Sequence, residues 1–242
     1  MGLLETTISG RRLRNSHAHV VSELGRGIVC GEIAEGSILP GDNDLSSRFG
    51  VSRTVLRESM KTLAAKRLIE AKAKVGTRVL ERASWNFFDP DVLGWRLEAG
   101  VDNAFVDHLA EMRLALEPAA AALVAARASA EEIVELYAIA ARLDDINHTR
   151  ESIAKVDLEF HLAISRMSRN PFMRSISSLI EAALAVSFQL SSPASSSAKI
   201  RECAANHLKI VHAIAARDAQ KAEIAMRNVI DLGVQRIHAA LD

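Results

Sequence analysis

The sequence predicts a mainly α-helical chain in two parts, an N-terminal winged helix-turn-helix with a small β-hairpin wing followed by an all-α bundle of six or seven helices. Three observations predict it. Residues 39–57 read as two short helices joined by a glycine turn, with Leu56, Met60 and Leu63 on one stripe of the second helix and Thr54, Arg57 and Lys61 on the opposite side. Residues 69–80 read as a hairpin turning at Gly76, with Lys72, Lys74 and Arg78 nearby. Beyond the wing the pattern is helical, rich in Ala and Leu, and no strand alternation appears.

In chain order, residues 1–16 hold Arg11, Arg12 and Arg14 but lack the apolar core of an export signal, so a mobile basic arm is expected. An amphipathic segment with Val21, Leu24 and Ile28 precedes the helix pair and completes a winged module over residues 17–82. In such a module Arg53, in the first turn of the second helix, can reach a base edge or a phosphate where the helix N-terminus also favours negative charge. The alternative reading of Arg53, Arg57 and Lys61 is an ordinary solvated face.

Periodicity is lost near residue 81, and residues 83–101 read as a linker with a docking helix. It contains both tryptophans and two of the seven phenylalanines, and Asp89-Pro90 supplies a cap and a first-turn proline. So many aromatics imply a docked segment, through core packing or as an aromatic ligand cage. Residues 102–242 form the second domain. Helices are expected over about 103–128, bent near Pro118, then 129–146, opened by the capping box of Ser129 and Glu132. Others follow over 151–168, 170–190, 198–216 and 219–240, with a serine-rich loop at 191–197.

The net charge is zero but unevenly divided. Residues 1–82 hold 14 Lys and Arg against 9 Asp and Glu, whereas the remainder holds 16 against 21. A basic head on an acidic body suits a nucleic-acid reader with a separate partner domain. Cys30 and Cys203 show no metal-type spacing and follow no signal peptide, so both are expected to be reduced and structural in a cytoplasmic protein. No stretch approaches the roughly 18 apolar residues of a membrane span, and no membrane partner is expected.

The run from about 20 to 80 resembles the DNA-binding domain of the GntR family of bacterial transcription regulators. Its matching residues are Gly31, Gly36, Leu39-Pro40, Leu45, Phe49 to Thr54, Leu56-Arg57-Glu58, Leu63, Leu68-Ile69 and Gly76. The resemblance implies that Ser52, Arg53, Thr54, Arg57 and Lys61 face a palindromic double-stranded operator, and that Gly76 lets the wing tip approach the minor groove. Where the family carries an acidic-then-basic pair with a DNA-contacting arginine, this chain has Asp42-Asn43; Asn43 lacks the charge but keeps a side chain that can hydrogen-bond a phosphate or a base. The second half resembles the FCD effector domain of the FadR-type branch. It does so through Arg113 with Glu117, Asp157 to His161, Asn170-Pro171, and His207 followed by Ile210, Ala213 and Ile214. Trp85-Asn86 and residues 89–95 are similar to regulators of sugar-acid catabolism, especially galactonate and hexuronate operon repressors. A homodimer is implied by the same resemblance.

Asp157 and His161, one helical turn apart, point the same way, and with His207 could hold a divalent ion such as zinc, nickel or manganese. Metal-binding FCD relatives carry a further histidine 22 residues after the one matching His207; here that position is Val229. Three readings stay open: a bound ion with an open position, a metal-free polar pocket, or an interior ion pair beside a core histidine. Arg113 suits a carboxylate bidentately, unless it is only the i, i+4 partner of Glu117. Asn170 offers a ligand hydrogen bond or a helix cap, and Gln189 with the serines at 191–197 a polar lid. The expected function is an effector-responsive regulator, a repressor controlled by a small organic acid such as galactonate or a hexuronate. The rivals are a metal-responsive regulator and a metal-dependent hydrolase built on Asp157, His161 and His207.

Overall fold

The computed structural model describes residues 15–241. Among them are eleven α-helices and one two-stranded sheet, in two compact units that divide after Gly100. The basic arm expected over residues 1–16 lies almost wholly outside the described residues.

The first unit opens with α1 (Ser16–Val29), capped by the Asn15 side chain, which accepts from the Ala18 amide. α2 (Asp42–Phe49) ends at Gly50, whose φ of 62° is the left-handed cap that glycine adopts without penalty. α3 (Arg53–Ala65) follows after two residues, with Ser52 as N-cap. Leu56 and Leu63 are fully buried and Met60 partly so, beside Val20, Leu24, Ile28 and Leu45, as the apolar stripe requires. β1 (Ile69–Lys72) pairs antiparallel with β2 (Gly76–Val79), Ile69 opposite Val79 and Lys72 opposite Gly76. The turn is residues 73–75, so Gly76 opens β2 instead of forming the turn itself. Its φ is 112° and an added Cβ would lie 3.1 Å from Ile38, which bridges to Arg78 along the sheet edge.

A 3-10 turn (Arg82–Ser84) leads to α4 (Pro90–Glu98), capped by Asp89. The aromatic linker is core: Trp85, Val92 and Trp95 are buried in the same cluster as α1 and α3. Lys66 fixes the start of α4 through Asp89 and Asp91, both at 2.8 Å.

The second unit holds seven helices: α5 (Asn103–Arg127), α6 (Ala130–Arg142), α7 (Arg150–Met167), α8 (Pro171–Arg174), α9 (Ser177–Ser191), α10 (Ser197–Ala215) and α11 (Ala219–Leu241). α5 runs through Pro118, whose missing N–H leaves one carbonyl of the preceding turn without its helical partner. The Ser129–Glu132 capping box forms as the sequence indicates, though α6 stops at Arg142, short of residue 146. The helix expected over 170–190 is broken at Ser175 and Ile176 into α8 and α9. α11 packs along α5 and α10, and Val124, Leu136, Phe160, Ile164, Val211, Ile214 and Met226 fill the interior.

Candidate functional site

In the winged unit, Arg53, Thr54, Arg57 and Lys61 are all exposed on α3, opposite its buried stripe, and the N-cap Ser52 is exposed beside them. The Ser52 hydroxyl accepts from the Val55 amide, which holds the N-terminus of α3 in shape. Arg53 Nη2 donates to Asn43 Oδ1 at 3.0 Å, so the residue that departs from the family pattern braces the first cation of α3. Lys61 is paired with Glu58 at 2.8 Å on an open surface, a contact worth little in water. On the wing, Lys72 pairs with Glu70 at 2.9 Å, and Lys74 occupies a left-handed turn position with φ 62°.

In the helical unit, α5, α7 and α10 bring Arg113, Glu117, Asp157, His161 and His207 together, all of them buried. His207 Nε2 lies 3.0 Å from Asp157 Oδ1 and His161 Nε2 lies 3.7 Å from Asp157 Oδ2. The two imidazoles stand nearly perpendicular, with centroids 5.6 Å apart. Their far nitrogens are engaged: His207 Nδ1 lies 2.8 Å from the Cys203 carbonyl and His161 Nδ1 contacts Glu117. Such partners fix ring orientation and turn both Nε2 atoms toward Asp157. Neither Nε2, nor His161 Nδ1, meets hydrogen-bond geometry, although each lies against a carboxylate. Of the three ligands expected from the sequence, Asp157 and His207 come within ligand distance of each other, whereas His161 Nε2 lies 3.7 Å from Asp157 and outside the group of converging ligand atoms. Cys203, expected to be only structural, also enters: ligand atoms of Asp157, Cys203 and His207 lie within 4.8 Å of one another.

Electrostatics follow from this crowding. Burial opposes the charged form of Asp157, but His207 and then His161 and Arg113 outweigh it and hold the carboxyl down to about 2. Glu117 is likewise brought to about 2 against burial, by Arg113 and His161. Burial would push His207 down, yet Asp157 and Cys203 raise it well above its usual value.

Arg113 Nε binds Glu117 Oε1 at 2.5 Å, so the i, i+4 pair is real but buried, and Glu117 joins Arg113 to His161. The sequence left open whether Arg113 only pairs with Glu117 or meets a ligand; the pair forms, and both residues are buried. Asn170 is not brought to this cluster and caps α8, accepting from the Phe172 amide. A cavity of about 30 Å³ adjoins the cluster, bounded by Arg113, Asp157, His161, His207, Val229 and Arg236 among others. That is room for an ion and a water or a carboxylate head, not for a whole six-carbon acid. Arg236 went unnoticed in the sequence, although it stands seven residues after Val229 on the same helical face.

Comparison with known proteins bears on both units. The family model "Bacterial regulatory proteins, gntR family" matches residues 17–79, and the "FCD domain" model matches residues 108–232. The galactonate operon transcriptional repressor of Escherichia coli (strain K12) is 30% identical over 223 residues, covering 92% of this chain and 97% of that protein. An uncharacterized HTH-type transcriptional regulator of the same organism, YieP, is 39% identical over 165 residues, covering 67% and 72%. Among solved structures, the Listeria monocytogenes protein Lar, described as controlling the agr system, superposes with a TM-score of 0.64 at 17% identity over 95% of this chain and 99% of its own, a likeness of fold. No helix among the described residues is long and apolar enough to cross a membrane.

Proposed function

The chain belongs to the GntR family of bacterial transcription regulators, with an FCD domain behind the winged one, and on that premise we propose that it is a repressor whose operator binding is controlled by a small sugar acid, galactonate or a hexuronate. Family and relatives are regulators and not enzymes, which sets the hydrolase reading aside. Two winged domains of a homodimer would place α3 in successive major grooves of a palindromic operator. Arg53, braced by Asn43, and Arg57 with Thr54 would read bases; Ser52 and Lys61 would meet phosphates, and the wing at Gly76 the minor groove.

In the helical domain, the observation that carries the reading is the convergence of Asp157, Cys203 and His207, with His161 and a guanidinium at the same cavity. A divalent ion there would supply a Lewis-acid point for a carboxylate or hydroxyl oxygen of the acid. Val229 supplies no ligand, which leaves a coordination position for the effector. Arg113 adds charge complementarity to the carboxylate, and Asn170 acts as a helix cap. The acid would bind one arrangement of the dimer better than the other and so shift the population away from operator binding.

Thermal melting of the full-length protein against aldonic and hexuronic acids, with and without chelator, tests this. A bound acid must raise the midpoint by mass action. We expect a rise with at least one acid that His161→Ala abolishes; a metal-responsive regulator would instead respond to the ion alone and ignore every acid.

A further inference from the structure

Arg236 borders two spaces. On one side is the small cavity beside Asp157, His161 and His207; on the other is an open cleft of about 560 Å³, formed by the start of α7, the end of α9, the 3-10 turn Pro193–Ser195, the start of α10 and the end of α11. Its lining includes Arg150, Lys199, Arg236, Ser191, Ser192 and Ser195, and no Asp or Glu. A larger groove of about 720 Å³ elsewhere on this unit has mixed charge, with Arg166 paired to Glu135 at 2.6 Å, and so lacks a preference of sign.

The cleft is also short of acceptors. Arg236 Nε and Ser191 Oγ are both buried and have no hydrogen-bond partner among the described residues. Lys199 makes no ion pair among the described residues, and Arg150 reaches only the Gln189 carbonyl, at 3.1 Å. His148 has both ring nitrogens engaged, by Ser152 and the Arg142 carbonyl, and forms part of the rim. Two helix N-termini open here, α7 after Thr149 and α10 after Ser196, and each adds positive potential. Unpartnered donors and uncompensated cations around a ligand-sized space are the complement of an oxyanion.

We propose that this cleft is an oxyanion-binding site for the distal end of the effector, a phosphate or a second carboxylate. The preferred effector is then a doubly anionic relative of galactonate or a hexuronate, with Arg236 between its two ends, and those singly charged acids would occupy the inner cavity alone and bind more weakly. This rests on the reading that the inner cavity takes the first carboxylate, and it explains how a cavity the size of an ion and a water can serve a six-carbon ligand: most of the ligand lies outside it.

The test is calorimetric titration of the full-length protein with a six-carbon aldonic acid, the corresponding aldaric acid, the 6-phosphoaldonic acid and inorganic phosphate, repeated on an Arg150→Ala/Lys199→Ala variant and on His161→Ala. Both variants are first shown to melt as cooperatively as the parent. Since a charge-assisted hydrogen bond contributes enough for about a ten-fold change in affinity, at least one doubly anionic acid is expected to bind about ten-fold or more tighter than the aldonic acid. The double variant should bring that ratio close to one. The aldaric and phosphorylated acids tell the two oxyanions apart. If no acid binds but inorganic phosphate binds in a manner lost in the double variant, the cleft stands and the inner-cavity reading fails. If the acids bind through His161 with no preference for a second charge, the inner reading stands and the cleft proposal is overturned; it is overturned equally if phosphate and all three acids leave the protein untouched.

Discussion

Arg53 and Asn43 form one unit at the tip of α3. The guanidinium is exposed, and its orientation depends on the Asn43 carbonyl at 3.0 Å. On the proposed function, Arg53→Ala should weaken operator binding by about 1–3 kcal/mol, the range for a base-reading arginine. Asn43→Ala should cost less, and the double substitution less than the sum, because Asn43 acts through Arg53. Electrophoretic shift on a palindromic operator measures all three; strict additivity would show that Asn43 works alone. In the second unit the charges set a pH window for the metal-free protein. Glu117 and Asp157 titrate at about 2 when folded, below ordinary values of 4.5 and 3.8. Their contribution is therefore whole above those ordinary values and lost as pH falls through them toward 2. His207 has the opposite sign: its contribution is whole below 6.5 and is lost as pH rises through its elevated value. Melting temperature of chelated protein should fall on acidification, and Glu117→Gln should flatten that limb. An unchanged acid limb in the variant would remove Glu117 from the account. The residue pattern already paired Asp157 with His161 and Arg113 with Glu117, because one helical turn is a local rule. It could not show Glu117 touching His161, or Arg236 reaching the cavity, since these contacts join different helices.

Element boundaries were legible where side chains set them. Asp89, Ser129 and Asn170 each accept from the first-turn amides of the helix they precede, and each was readable as a cap. The break between α8 and α9 was not, because Ser175 and Ile176 carry neither Gly nor Pro and the interruption is imposed by packing. Another contact invisible in the sequence joins α1 to α4. A Cβ on Gly25 would stand 2.3 Å from two carbons of the Trp95 ring, and Trp95 is 2% exposed. Gly25→Ala should thus destabilise the winged unit by about 1–3 kcal/mol, as overpacked cores do, even though alanine gains up to about 1 kcal/mol in helix preference. Urea unfolding followed by tryptophan fluorescence reads this directly. A more stable variant would mean that α4 can slide away from α1 without loss.

For the whole molecule, the division of charge between a basic head and an acidic body, together with the two motif sets, carried the assignment to a DNA-binding regulator with an effector domain. What composition could not convey was scale: the inner cavity measures about 30 Å³, and the cleft across Arg236 about 560 Å³. Volume arises from how seven helices pack and leaves no local trace. The central claim is that filling this site releases DNA. The most direct measurement is fluorescence anisotropy of a labelled palindromic operator bound to the full-length protein, titrated with sugar acids. At least one acid is predicted to raise the operator Kd about ten-fold or more, within the usual range of allosteric coupling, and His161→Ala should hold the operator but no longer release it. Operator binding that is tight and indifferent to every acid, in the parent as in the variant, would contradict the account.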